Sequence, residues 1–597
     1  MAQAQAITMT KPSGNLTSDK LQFWLGLLII FGTVLIPDFM GNQYYTHTFQ
    51  LVNLYIGVAI LQNILFVDAG QVAFGMGAIF GLGAYVAGIA TGMHGLSYEW
   101  GIVLGTLAAT LGGVLFALPA LRVQHFHLGF VTLAAAMVFP EMLVAMNKYT
   151  NGINGIPMPT SALTQRLPIG LAPLSLVIAA FSGLMLVLHV RMRRTKLGRR
   201  MMVAAASPEA AQSLGTSPGA MRSIAFILVS ALTGLAGTLY PPIVGFVSPS
   251  AFNLDLSILF FFAVVVGGRG QPLGPILGVY ILYLVPNVLL VQFVNFRLMA
   301  YGAVALAAML AFPDGIIGSL EIWRRKRQLR PEDDGALRVD RIIANAETEF
   351  TDKPLAPDAE RPVLVEVHDG RKSFGNVRAI DGVNLTVRQG EIHGLVGANG
   401  SGKTSLLNVL SGLSRLDSGS LSVKGRDITR MAPHRIARLG LGRTFQAPRI
   451  FPALSIWGNL EIGIDGRYDK AEEALPVRVQ ALKEALSDRS AEYLPHGQRR
   501  IVEVMRVVLK EADILMLDEP AAGLSPEERA EFSHLLRVLS RQMGKTIILV
   551  EHDLDLVWGV ADKITVLDFG RVVASGDPAE VATMKEVHHM FVGKKHA

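Results

Sequence analysis

The run Gly397-Ala398-Asn399-Gly400-Ser401-Gly402-Lys403-Thr404 follows the pattern G-x-x-x-x-G-K-T. Its residue types suit phosphate chemistry. Glycines leave backbone N–H groups free to face an anion, a lysine reaches the β/γ oxygens, and a threonine hydroxyl can ligate Mg²⁺. Asp518-Glu519 closes the apolar run Ile514 to Leu517. The aspartate suits a metal shell, and the glutamate can orient and deprotonate water for in-line attack on phosphorus. Glu551-His552-Asp553 closes the run Ile547 to Val550, where His552 can contact the γ-phosphate. Gln446 can coordinate Mg²⁺ or the attacking water. Phe374 can stack on adenine or pack in a strand core. The expected nucleotide-binding set is thus Phe374 and residues 397–404 with Ser405. Thr404, Gln446 and Asp518 are the expected metal ligands, and Glu519 and His552 the expected catalytic pair.

These residues need an α/β frame. The loop begins where the apolar run Ile392 to Val396 ends, and a helical pattern from Ser405 to Leu410 follows. A strand ending in a glycine turn and opening a helix aims bare N–H groups and the positive helix end at phosphate. Asp518 and His552 likewise sit at the ends of apolar runs that read as buried strands.

The 597 residues are too many for one core. They divide into unlike halves: up to about Phe312 apolar stretches carry few charges, and beyond Arg324 the composition is that of a soluble protein. The mean hydropathy of +0.40 blends the two. A net charge of +6 could suggest nucleic acid. However, Arg191, Arg193, Arg194, Lys196, Arg199 and Arg200, and again Arg324 to Arg327, flank apolar segments, as cytoplasmic positive charge does. No nucleic-acid partner is expected. The chain has no cysteine, which excludes disulfides, thiolate metal sites and cysteine nucleophiles. The expected organisation is a polar tail over 1–20, a membrane domain over 21–323, a charged linker over 324–362 and a nucleotide domain over 363–597.

A bilayer core of about 30 Å needs roughly 20 apolar residues as helix. Candidate spans lie near 22–37, 48–67, 71–92, 101–121, 128–145, 170–190, 223–241, 256–268, 275–294 and 298–312, for eight to ten crossings of an all-α domain in contact with lipid. With the nucleotide domain cytosolic, parity puts loop 191–201 and the turn Arg122 to His127 on the same side. Gly75, Gly77, Gly81, Gly83 and Gly88 fall in one segment, as close helix packing requires. Glu141 and Arg269 are ionisable groups near membrane depth or at an interface. The glycine-rich break 267–275 is tolerated only where buried or lining a cavity, which makes it a candidate for the solute path.

In the cytosolic loop Leu197 to Arg222, Glu209-Ala210-Ala211 precedes Gly215. The pattern resembles the coupling loop of ABC importer permeases, in which a short helix docks on the ATPase. Residues 363–597 resemble the ABC ATP-binding domain, and Leu494-Pro495-His496-Gly497-Gln498 occupies the place of its L-S-G-G-Q signature. The resemblance implies that this segment reaches the γ-phosphate bound by a partner ATPase. Pro495 departs from it by removing a hydroxyl and an N–H, and Ser525 stands where the family usually has aspartate.

The whole chain resembles two fused subunits of the branched-chain (hydrophobic) amino-acid ABC importers. The second permease is matched by Asp68 to Phe74, Thr150 to Pro157, Leu232 to Gly237, Phe246 to Pro249, Val266 to Gly268 and Gly274-Pro275. The first ATPase is matched by Ala521 to Pro526 and Glu551 to Asp553. The resemblance implies ATP-driven uptake at a bacterial inner membrane, with ATP and Mg²⁺ as cofactors. It also implies a second permease, a second ATPase (or a homodimer) and a soluble binding protein. Urea, short amides or aromatic acids are alternative solutes. An ABC exporter half-transporter and a membrane-tethered regulatory ATPase are the rival architectures.

Overall fold

The computed structural model describes residues 16–122, 126–158, 172–289, 297–326, 355–464, 491, 494, 496–510, 512–584 and 587. Most of the expected tail and linker, the tip of the 122–127 turn, and Pro495 lie outside the described residues. The chain folds as two compact units: residues 1–206 with 218–331, and residues 207–217 with 332–597.

The first unit is helical. Among the described residues, nine segments are long and apolar enough to cross a membrane, and Gly274–Leu284 is a shorter apolar helix. The elements used below are α1 (Leu16–Phe39), α2 (Gln43–Asn63) and α3 (Pro173–Met192). A π-helical turn, Ile64–Asp68, extends α2. Small residues set the closest approaches: a Cβ on Gly83 would stand 2.2 Å from the carbonyl oxygen of Gly234. Two span boundaries differ from expectation. The segment expected from 71 becomes helical only at Met76. Its non-helical backbone is satisfied instead by side chains, with Gln62 Nε2 donating to Ala73 O at 2.9 Å and Phe74 N donating to Thr132 Oγ1 at 3.0 Å. The last expected span, 298–312, is followed by a turn containing Pro313 and Gly315 (φ 75°), and the apolar segment of membrane length runs over Leu306–Arg324.

The second unit begins with α4 (Pro208–Ser213), which packs with the nucleotide domain rather than with its sequence neighbours. Ser207 caps it by accepting from Ala210 N, and Gly215 leaves it at φ 81°. Back in the first unit, α5 (Leu254–Gly267), α6 (Gly274–Val279) and α7 (Ile316–Lys326) surround the glycine-rich break.

The nucleotide domain is α/β. An antiparallel sheet holds β1 (Val363–Phe374) and β2 (Val377–Arg388). The central sheet contains β3 (Ile392–Gly397), β4 (Leu441–Arg443), β5 (Ile514–Asp518), β6 (Thr546–Val550), β7 (Lys563–Asp568) and β8 (Arg571–Gly576), in the order β8-β7-β3-β6-β5-β4. Every residue of β3, β5 and β6 is buried, which is why these runs are mostly apolar rather than alternating. Helices α8 (Lys403–Leu410), α9 (Pro433–Arg438), α10 (His496–Val508), α11 (Pro526–Arg541) and α12 (Leu554–Val560) complete the frame.

Candidate nucleotide site and docking helix

The phosphate loop joins β3 to α8 through backbone that a side chain would not tolerate. Gly397 (φ 154°) and Gly402 (φ 104°) lie where L-residues are strained. A Cβ there would stand 2.2 Å from Leu567 O and 2.3 Å from Ala379 O. Asn399 and Gly400 form the exposed tip. Lys403 opens α8, and its buried ammonium donates to Gly397 O at 2.8 Å and Ala398 O at 2.9 Å. Burial pushes its pKa down, against the pull of Glu519 and Asp518. Thr404 is exposed and Ser405 half-buried in the same first turn.

Strands β5 and β6 are parallel neighbours, with Asp518 opposite Val550. This register brings together residues far apart in sequence. Glu519 follows β5 in a left-handed conformation (φ 48°), costing on the order of 1–3 kcal/mol, and its N–H donates to Val550 O at 2.8 Å. The turn carries its carboxylate to His552 Nε2 at 2.6 Å and to Gln446 Nε2 at 3.2 Å. Three of the expected residues therefore meet at one carboxylate. Asp518 is buried: Oδ2 lies 3.7 Å from Arg443 Nη2, and Oδ1 has no hydrogen-bond partner among the described residues. Burial raises its pKa, opposed by Arg443.

Phe374, at the end of β1, is half exposed, with Lys372 Nζ 5.4 Å from its ring centroid; it is not a core residue. Leu494 of the signature segment is buried, Gly497 and Gln498 are half-buried, and α10 starts at His496. Ser525 caps α11 in a reciprocal capping box with Glu528, a task serine and aspartate perform alike.

Sequence reading missed the groups that fix this site from beneath. Glu551 accepts from Ala521 N at 2.6 Å and His552 N at 3.2 Å, tying the ends of β5 and β6 together. On α10, Arg500 Nη1 and Nη2 donate to Phe445 O and Gln446 O, both at 2.5 Å. Glu503 accepts from Arg449 N at 3.0 Å, and Arg506 donates to Arg449 O at 2.8 Å. Burial raises the Glu503 pKa, with Arg506 opposing. The backbone around Gln446 is therefore held by the helix that begins at the signature. The only advance signal was a basic-acidic-basic spacing of i, i+3, i+6, which on an isolated helix reads as a solvated face.

The expected docking residues lie on or beside α4. Ala210 and Ala211 are fully buried. Glu209 Oε2 lies 3.2 Å from Arg449 Nη2, and Arg438 Nε donates to Gly215 O at 3.0 Å.

Residues 45–312 match the family described as the branched-chain amino acid transport system permease component, and residues 380–522 match the ABC transporter family. The branched-chain amino acid transport ATP-binding protein LivG of Salmonella typhimurium is 32% identical over 39% of this chain and 98% of its own length. A probable LivG of Archaeoglobus fulgidus is 34% identical over 38% of this chain and 95% of its own. BraF of Pseudomonas aeruginosa is 33% identical over 39% and 99%. Among solved structures, a nucleotide-free ATP-binding cassette from an ABC transporter matches at 28% identity over 39% of this chain and all of its own, with a TM-score of 0.35. The chain belongs to the ABC transporter family. It fuses a permease of the branched-chain amino acid type to an ATP-binding subunit. This ABC transporter hydrolyses ATP and is a multi-pass inner-membrane protein with a cytoplasmic ATPase.

In the transporter's membrane unit, Glu141 is exposed, and Arg269 lies over the Phe66 ring at 5.8 Å. Among the described residues, other ionisable groups are buried. Asp68 sits 3.1 Å from Arg193 Nε and 3.6 Å from His189 Nδ1. Asn63 accepts from Gly270 N at 2.9 Å, and Gln271 Nε2 donates to Glu321 at 2.7 Å. Gly270 and Gln271 of the break are buried in protein.

Proposed function

We propose that this ABC transporter imports branched-chain or other hydrophobic amino acids as one permease–ATPase half of a larger complex. One observation carries the reading: a single chain combines the permease match over 45–312 with an ATPase 32–34% identical to LivG and BraF, proteins named for branched-chain amino acid transport. A second permease and a second ATPase, or a second copy of this chain, complete the complex with a soluble binding protein. The signature residues 494–498 serve the partner's nucleotide, and the helix carrying Glu209, Ala210 and Ala211, ended by Gly215, docks the permease on its ATPase.

In hydrolysis, the N–H groups of residues 398–405 and Lys403 bind the phosphates, and Phe374 stacks on the base. Mg²⁺ would be held by Thr404, Gln446 and Asp518, and would neutralise charge on the β/γ oxygens. The buried Asp518 Oδ1, without a hydrogen-bond partner among the described residues, fits a cation ligand. Glu519 takes a proton from water, the water oxygen attacks the γ-phosphorus, and ADP departs. His552 steadies the attack geometry.

The test is leucine uptake into liposomes holding the full chain, its companion subunits and the co-purifying binding protein. ATP-dependent accumulation supports import. Hydrolysis with no accumulation of any amino acid overturns it.

A further inference from the structure

Helix α10 runs from the signature segment to Lys510, which lies just beyond its last turn. Nζ of Lys510 donates to Ser213 O at 2.8 Å, and to Ala437 O and Leu441 O, each at 2.9 Å. An ammonium has three donors, and all three are used. Ser213 ends α4, where carbonyls lack a partner within the helix, and Ala437 lies in the last turn of α9, its carbonyl also accepting from Gly440 N at 3.4 Å. One side chain thus satisfies the open ends of two short helices and the first residue of β4.

We propose that Lys510 is a positioning residue for transport, fixing the docking helix α4 to the far end of the signature helix. The proposal rests on the reading of residues 207–215 as the docking segment. A 13-residue helix is a rod of about 20 Å. Near its start, Arg500 holds the backbone of Gln446; at its end, Lys510 holds α4. Movement of α4 therefore reaches the signature along a single rigid element. The ion pair of α4 is looser, since Glu209 and Arg449 are each about half exposed and screened by water and salt.

Burial pushes the Lys510 ammonium down to about 7, while its three carbonyls favour the charged form. Other ionisable groups on the surrounding elements are Glu209 on α4, His434, Arg435 and Arg438 on α9, Arg443 on β4, Asp513 before β5, and Glu503 and Arg506 on α10. Burial, Arg438 and Arg435 push the His434 pKa down, so it stays neutral above pH 7.

The experiment compares wild type, Lys510→Met and Lys510→Arg in the reconstituted complex, with leucine uptake counted per ATP hydrolysed. Lys510→Met should bind nucleotide normally, yet its uptake-to-hydrolysis ratio should fall about tenfold. Lys510→Arg keeps its donors and should recover most of the ratio. Between about pH 6 and 8, the wild-type ratio should fall as the ammonium deprotonates, while that of Lys510→Arg stays level. A second arm needs no companion subunit. The chain has no cysteine, so Glu209→Cys with Arg449→Cys can be bridged by a short bifunctional thiol reagent. Adding Lys510→Met should slow that bridging. A wild-type ratio in Lys510→Met overturns the proposal. Should wild type itself hydrolyse ATP and move no leucine, the importer reading fails, and bridging at the wild-type rate then overturns the role of Lys510.

Discussion

Replacing Glu519 by glutamine separates water activation from everything else the site does. The side chain is 13% exposed and accepts from His552 Nε2 at 2.6 Å and Gln446 Nε2 at 3.2 Å. Glutamine keeps one acceptor oxygen and nearly the same volume. The structural loss is about one hydrogen bond, or about 1 kcal/mol, which lowers Tm by roughly 2–4 °C in a domain of this size. The catalytic loss is larger. A positioned general base contributes about 10²–10⁴ in rate, and at about 1.4 kcal/mol per tenfold this is roughly 3–5.5 kcal/mol of barrier. Lys403 and its loop are untouched, so affinity for ATP should hold. Phosphate release, fluorescent ATP-analogue titration and thermal unfolding on the full chain read the three effects separately. Hydrolysis within tenfold of wild type, with normal affinity and Tm, would refute Glu519 as the base. Glu551→Gln is the contrasting case: its buried carboxylate receives two backbone N–H groups, so an amide there should lower Tm first.

Gly402→Ala should weaken ATP binding at least tenfold or so, because its Cβ would stand 2.3 Å from the backbone oxygen of Ala379 at φ 104°; unchanged affinity in analogue titration counts against the loop geometry. Arg500→Met leaves Glu503 short of a partner and frees Phe445 O and Gln446 O, at a cost of about 3–5 kcal/mol. Denaturant unfolding of the full chain measures this, and a loss below about 1 kcal/mol would contradict the clamp. Chelating Mg²⁺ should abolish hydrolysis and adding it back should restore the rate; metal-independent turnover would remove Asp518 and Thr404 from the proposed shell.

The phosphate loop and Asp518-Glu519 were legible because their geometry is local: a strand, a tight turn and a helix follow one another in the sequence. The meeting of His552, Glu519 and Gln446 was legible only as order, since it depends on the register of β5 against β6. Arg500, Glu503 and Arg506 were not legible. Charged residues on an amphipathic helix normally face solvent, and these are buried only because the turn at 445–449 offers them backbone groups. The span edge at 71 was misplaced for a related reason. Apolar composition predicts helix, but here the side chains of Gln62 and Thr132 satisfy non-helical backbone.

Buried charges of the membrane unit likewise hold backbone. Attention to sequence falls on Arg269 and Glu141 because each stands alone, whereas Asp68, His189 and Arg193 draw together from the end of α2 and from α3. An unpaired charge at membrane depth is too costly to keep, so these groups must be held by one another or by backbone. Here the backbone they hold is that of the break. Arg193 donates to Gly270 O at 2.6 Å, Asn63 accepts from Gly270 N at 2.9 Å, and Gln271 reaches Glu321 of α7. Gln22 of α1 also donates to Glu321, at 3.4 Å. Irregular backbone inside a membrane needs such substitutes for helical hydrogen bonds. With Gly270 and Gln271 tied into this network, and Gly267 and Gly274 packed against backbone, the break links α1, α2, α3 and α7.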